Sequence, residues 1–378
     1  MLNIKEVRAR KLKDSRGKDT IEVSINWSRA SSPSGTSAGR YETPSFHDSL
    51  DWNINAINNF KELKGIKINS LADLHLIEDL IKQKFKLKSA TDFGANALFA
   101  LESAILKALA ASKNKELWQI VNSGAKRIPT PLGNAIGGGK HTTAKNAPSF
   151  QEFLLVPQGK SIQENVKIMN KTYLSIKSLI KSNKVGQEGE WQTSLSEEQI
   201  LDILSNFKDV RIGLDVASSE FFNNGTYCYN NKVLSTKEQI DYLNSLIQKY
   251  NLIYVEDPLN EEEFISFSKI SKKTLVSGDD LTVSHLQRVK KASKMRSINC
   301  MILKPNQVGS LLEISKVVKF CKRHNIKIVF SHRAGETLDD ALADYAVGFK
   351  ADFIKCGIAT KWRKAKLNRL IAIERSLK

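Results

Sequence analysis

The chain has 378 residues, of which 41% are hydrophobic and 26% charged. That excludes a disordered or fibrous protein and leaves room for two domains with cores of their own. The formal net charge is +18, a balance that suits nucleic acid or an anionic surface. However, the lysines are spread along the chain at helical spacings, as on solvated faces. Zinc-finger spacing, an RNA-binding aromatic pattern and a basic heptad are all missing, so nucleic acid stays open as a partner on charge alone. No run of 18 apolar residues is present, so no membrane contact is expected. The charged N-terminus MLNIKEVRARKLKDSRG does not read as a secretory leader. Cys228, Cys300, Cys321 and Cys356 lack metal-type spacing and read as reduced core thiols of a cytoplasmic protein.

Residues 2–9 and 20–27 alternate apolar and polar side chains, which predicts two strands joined by a turn at Asp14–Lys18. A Ser/Gly loop, SPSGTSAG, follows at 32–39. The pattern from 52 to 113 is helical, and in GANALFALESAILKALAASK apolar residues cover most of the helix surface, so that helix is expected to be buried. The first 125 residues thus predict an α+β domain. The Pro- and Gly-rich segment IPTPLGNAIGGGKH at 128–141 begins a new unit. From there FLLVP, VRIGLD, LIYVED, TLVSG, CMILK, IKIVFSH and DFIKCG alternate with helical stretches, two of them opened by Ser or Thr ahead of acidic residues. Residues 126–378 therefore predict a β/α barrel.

Within that barrel, five short segments follow one another like the rungs of a repeating unit. They are GLDVASSEF around Asp215, YVEDP around Glu256, SGDDLT around Asp279, ILKPNQVGS around Lys304 and FSHRAGET around His332. The intervals are 41, 23, 25 and 28 residues, close to one strand, one helix and two loops. In such a barrel the C-terminal ends of the strands share one face, where active sites are built. Any one of these carboxylates alone could be a helix cap or a surface charge. Three of them after apolar strand runs suit a hard divalent cation, and a Lys beside a metal suits proton abstraction.

Taken together, DSRGKDTIEV, PSGTSAGRYE, FGANALFALESA, GGKH, QEFLLVP, VGQEG, LDVASSEF, VEDP, GDDLT, LKPNQVGS, SHRAGET and IKCG resemble the enolase family in one order, from residue 3 to residue 376. The resemblance implies an α+β N-terminal domain before an enolase-type barrel, and dehydration of 2-phosphoglycerate to phosphoenolpyruvate. It further implies a homodimer with two Mg²⁺ per active site. Asp215, Glu256 and Asp279 then match ligands of the tighter Mg²⁺, and Ser37 the residue that closes over the second. Lys304 matches the base at C2, and Glu188, with Glu152 beside it, the acid at the 3-hydroxyl. His141 lies on a mobile loop. His332 and Arg333 match phosphate-side contacts, and Lys355 matches the group on the substrate carboxylate, with Gln151 also placed at the substrate. A Lys crowded by cations is expected to have a lowered pKa.

Several positions depart from the family pattern. Glu190 and Trp191 stand where a Gly is common, Gly137 where Asn is, and Ala334 where Ser is. Lys361 and Trp362 lie near a usual Glu-Arg pair that only Arg363 fits. Glu190 is expected to perturb the acid or to block loop closure. A different carboxylate substrate, or a degenerate relative kept for binding, is the alternative reading.

Overall fold

A computed structural model describes residues 1–35, 39–142 and 144–377. β1 (Val7–Lys13) and β2 (Asp19–Ile25) form an antiparallel hairpin, extended by β3 (Ser28–Ser31). The first strand therefore starts later than the alternation in residues 2–9 suggests. Its predecessor, Leu2–Asn3, pairs instead with Lys67–Ile68. The helical stretch resolves into α1 (Leu50–Asn58), α2 (Leu74–Phe85) and α3 (Ala95–Ser112). α3 is the one described helix long and apolar enough to cross a membrane, but 83% of it is buried in the protein. It packs on β2 and β3 on one side and reaches the barrel on the other.

Among the described residues, eight strands close a barrel: β4 (Thr130–Gly137), β5 (Glu152–Pro157), β6 (Val210–Asp215), β7 (Tyr254–Glu256), β8 (Leu275–Gly278), β9 (Cys300–Leu303), β10 (Lys327–Ser331) and β11 (Phe353–Lys355). β5 runs antiparallel to β4 and β6, the other neighbours are parallel, and β11 pairs with β4 to close the ring. All seven expected strands are present. β4 is an eighth that the sequence hid, because Pro131 and its glycines read as a loop. The lumen below the mouth is plugged by Leu132, Leu154, Val156, Tyr254, Cys300, Ile302 and Val329. Since side chains alternate along a strand, residues two positions above this plug also face the axis. Ser196 caps its helix as expected, accepting the Gln199 N–H, whereas Ser235, one residue before the expected Thr236, caps the other by accepting the Glu238 N–H. Three cysteines are buried as expected, but Cys228 is exposed, because its short strand lies outside the barrel wall.

α3 joins the two halves. Asn306 donates to the side-chain oxygen of Asn96 at 2.8 Å, and buried Glu102 accepts the Leu311 N–H at 2.6 Å. At the same junction Gly309 has φ of +89°, and a Cβ there would lie 2.7 Å from the Ala95 Cα. Gly309→Ala should cost about 1–3 kcal/mol from its backbone alone, lowering Tm by a few degrees without loss of helical content. An unchanged Tm by calorimetry would contradict this close approach.

Candidate active site

Strand register assembles the site. Gly137 pairs with Glu152, Glu152 with Asp215, and Asp215 with Glu256. Asp279, Lys304 and His332 each follow the last residue of a strand, and Lys355 ends another. Because β5 runs the opposite way, Glu152 at its start reaches the same mouth as the ends of its neighbours. Every expected site residue among the described ones except Glu256 therefore lines one cleft: His141, Gln151, Glu152, Glu188, Asp215, Asp279, Lys304, His332, Arg333 and Lys355. Glu256 is fully buried beneath it and linked to it through Lys355. Ser37 lies outside the described residues.

Two ammonium groups dominate the electrostatics. Lys355 Nζ lies 2.6 Å from Asp215, 3.0 Å from Glu152 and 3.1 Å from Glu256. Burial alone would lower its pKa, but these three carboxylates more than offset that and hold it well above the ordinary value. Lys304 is paired with Asp279. Burial again opposes its charge, yet Asp279 prevails and raises it. The expected lowering of Lys304 is thus not what the protein's own charges produce. Glu256 is pushed up to about 8 by burial and by the nearby Asp215, and Tyr254 donates to it at 2.6 Å.

On the far side, His332 Nε2 lies 3.2 Å and the Arg363 guanidinium 3.6 Å from Glu188. Burial raises Glu188, but His332, His141 and Arg363 outweigh it and hold Glu188 well below the carboxylate range. Burial also lowers His332. The two directions compete for one proton. The ionised state of Glu188 is the better founded, because Arg363 carries a permanent charge. Glu152, by contrast, is held well above the ordinary value by burial. Of the two facing carboxyls, Glu152 is therefore the more readily protonated. Among the described residues, buried His332 Nδ1 has no hydrogen-bond partner, and Glu152 Oε2, Glu188 Oε2 and His141 Nδ1 have only an ion-pair contact each, to Lys355, His332 and Glu152. Such groups at the wall of a polar cleft are ready for a ligand to satisfy.

Arg333 is held by Glu42 through two bonds of 2.9 and 3.0 Å. Gln307 joins this group to the carboxylates, donating to Glu42 at 3.3 Å and to Asp279 at 3.1 Å. Asp257 accepts the N–H groups of Asp279 and Asp280 and so fixes that turn. Glu42, Gln307, Asp257 and Asp280 had no role assigned from sequence. Each lies inside a segment that carries the resemblance, which was the available signal. Arg363 is fully buried and donates to the Ala334 carbonyl at 2.8 Å, whereas Lys361 is exposed. Glu190 does not block closure: it is folded beneath its loop, and its carboxyl is pushed up to about 8 by burial and by Glu188.

The donor set fits a hard divalent cation. It is oxygen-only, several of its carboxylates are buried, and their counter-charge now comes from two ammonium groups that can rotate. Asp257, Asp279 and Asp280 also bring ligand atoms within 4.8 Å of one another.

A closed barrel with one reversed strand, carrying acidic side chains and two lysines at its mouth, defines a metal-assisted enzyme that works on a proton beside a carboxylate. Family models agree: that described as "Enolase, N-terminal domain" matches residues 4–121, and that described as "Enolase, C-terminal TIM barrel domain" matches residues 125–378. The enolase of Methanocorpusculum labreanum is 36% identical over 99% of this chain and 99% of its own length. The enolase of Archaeoglobus fulgidus is 34% identical over 98% and 97%, and that of Picrophilus torridus 35% over 99% and 99%. The chain belongs to the enolase family.

Removing Lys355 leaves buried carboxylates unpaired. Lys355→Ala should therefore lose about 3–5 kcal/mol of stability, and Mg²⁺ should raise its Tm by more than it raises the wild-type Tm. Equal Mg²⁺ responses in a thermal melt would show that Lys355 and a cation do not share these carboxylates.

Proposed function

We propose that the chain dehydrates 2-phosphoglycerate to phosphoenolpyruvate, with Lys304 as base and Glu188 as acid. The observation that carries this is the convergence of Lys304 and the Glu188–His332 pair on one cleft, with the carboxylate row between them. The C2 proton is weakly acidic because its removal puts a second negative charge beside the substrate carboxylate. A divalent cation (Mg²⁺, two per site) held by Asp215, Glu256 and Asp279, with Ser37 at the second, would neutralise these carboxylates and stabilise that developing charge. Lys304 takes the proton in its neutral form, so its pairing with Asp279 has to relax. Lys355 leaves part of its carboxylate contact to hold the substrate carboxylate, with Gln151 beside Asp215.

On the opposite face Glu188 donates to the departing 3-hydroxyl. Glu188 is ionised in the free protein, so that proton has to reach it first, through its contact with His332, and Glu152 across His141, the more readily protonated of the two carboxyls, limits the negative charge on that side of the cleft. Arg333 binds the phosphate by exchanging Glu42 for it, since both present planar oxygen pairs to the guanidinium. The convergence of a complete base, acid and phosphate side gives the binding-only alternative nothing to rest on. A cytoplasmic homodimer is the expected form, and sedimentation of the purified chain tests the dimer.

Lys304→Ala should abolish exchange of the C2 proton with solvent, whereas Glu188→Gln should retain exchange and lose dehydration by about 10²–10⁴-fold. Proton NMR in deuterated buffer beside a phosphoenolpyruvate assay separates the two steps. Equal loss of exchange in both variants would contradict the division of roles.

Ala334 lines the cleft next to Arg333 and is only partly covered. A Ser hydroxyl there can donate to a phosphate oxygen, an interaction of about 1.5–3 kcal/mol with a charged acceptor. Ala334→Ser should raise kcat/KM at least severalfold with Tm unchanged. An unaltered kcat/KM would place the phosphate away from this residue.

A further inference from the structure

Glu188 rides on a tight loop that closes on itself. The Gly186 N–H donates to the Glu190 carbonyl at 2.8 Å, and the Gly189 N–H to the Gly186 carbonyl at 3.1 Å. From outside, the Tyr173 hydroxyl donates to the Gly189 carbonyl at 2.6 Å, and its ring stacks on Trp191 at 4.7 Å. The Glu190 side chain does not enter solvent. It turns back beneath the loop with 0% exposure, and its Oε2 accepts the Glu188 N–H at 2.9 Å. Its Oε1 is buried with no hydrogen-bond partner among the described residues.

Two glycines make this space. A Cβ on Gly137 would lie 2.4 Å from Glu190 Cγ, and one on Gly186 would lie 1.7 Å from Glu190 Oε1. Gly137 is the register partner of Glu152, so the Glu190 side chain is wedged between the barrel rim and the loop that carries Glu188. Burying a carboxyl with one oxygen unsatisfied opposes folding. The geometry therefore calls for a local role.

We propose that Glu190 is a positioning residue for the dehydration step: it anchors the Glu188 backbone, and so fixes where the Glu188 carboxyl points, in a space that exists only because residues 137 and 186 are glycine. This rests on the reading of Glu188 as the acid. Burial and the charge of Glu188 push the Glu190 carboxyl up to about 8, so near neutral pH it accepts the N–H without adding a second negative charge beside the donor. Glutamine offers the same carbonyl acceptor and nearly the same volume. Leucine fills the space and accepts nothing.

The test measures phosphoenolpyruvate formation and C2 proton exchange for the wild type, Glu190→Gln and Glu190→Leu. Glu190→Gln should stay within about threefold of the wild-type kcat. Glu190→Leu should lose at least about tenfold in kcat, part of the ~10²–10⁴-fold that a well-placed acid contributes, with KM and exchange within about twofold. A leucine variant with wild-type kcat, or one losing exchange and dehydration equally, would overturn the proposal. If the leucine variant does not fold, Glu190→Gly with and without Gly137→Asn carries the test. An Asn side chain at 137 enters the space Glu190 Cγ vacates and can accept the same N–H, so the double variant should be at least about tenfold faster than Glu190→Gly, and equal rates would overturn the proposal. A wild type with neither activity would remove the functional reading itself. An active wild type with an indifferent position 190 would remove only this proposal.

Discussion

Carboxylates packed at the mouth of a barrel repel one another, and no fold can bury them without positive charge in their midst. Here register leaves the chain no choice: Glu152, Asp215 and Glu256 stand on three adjacent strands at the same level. All three point at the axis because the residues two positions below them, Leu154, Gly213 and Tyr254, are register partners at the level of the lumen plug. Lys355 answers this charge from across the ring and Lys304 answers Asp279. The strong shifts on both sides of the cleft follow from that balance. The same balance explains how a cation could enter, since it would take over a charge that the lysines now supply and release them toward a substrate.

The second constraint is the joint between the domains. α3 is apolar around most of its circumference because it has two partners, the three-stranded sheet and the barrel. Two of its polar residues, Asn96 and Glu102, bond across to the barrel loops. The N-terminal part also contributes Glu42, which holds Arg333 at the cleft. The Arg333 side of the cleft is therefore built from both halves of the chain, and the docking of one on the other sets its shape.

Much of this was legible in the sequence, and the failures have physical causes. Seven barrel strands were readable because each is a short apolar run bounded by polar or turn residues. β4 was not, because small residues and Pro131 suit a strand crowded by neighbours but look like a loop in isolation. His141, Gln151, Glu152, Glu188, Arg333 and Lys355 came from the resemblance, while Asp215, Glu256, Asp279, Lys304 and His332 were readable from their place after such runs. Glu42 and Gln307 were not, since nothing local distinguishes an exposed polar loop residue from one that will close over an arginine. The raised pKa of Lys304 needed three-dimensional distances: sequence shows that a lysine is near carboxylates, not which of them it touches. Glu190 was visible as an extra acid, but only the clearances at Gly137 and Gly186 reveal that its side chain turns inward.

The central claim is that this carboxylate ring becomes a catalyst when a divalent cation shares it with the two lysines. The most direct measurement is phosphoenolpyruvate formation from 2-phosphoglycerate by the purified chain, after chelation and again after Mg²⁺ is restored. The account predicts that turnover disappears with the chelator and returns with Mg²⁺, while the protein stays folded throughout. Turnover that persists after chelation, or folded Mg²⁺-loaded protein that forms no phosphoenolpyruvate, would contradict it.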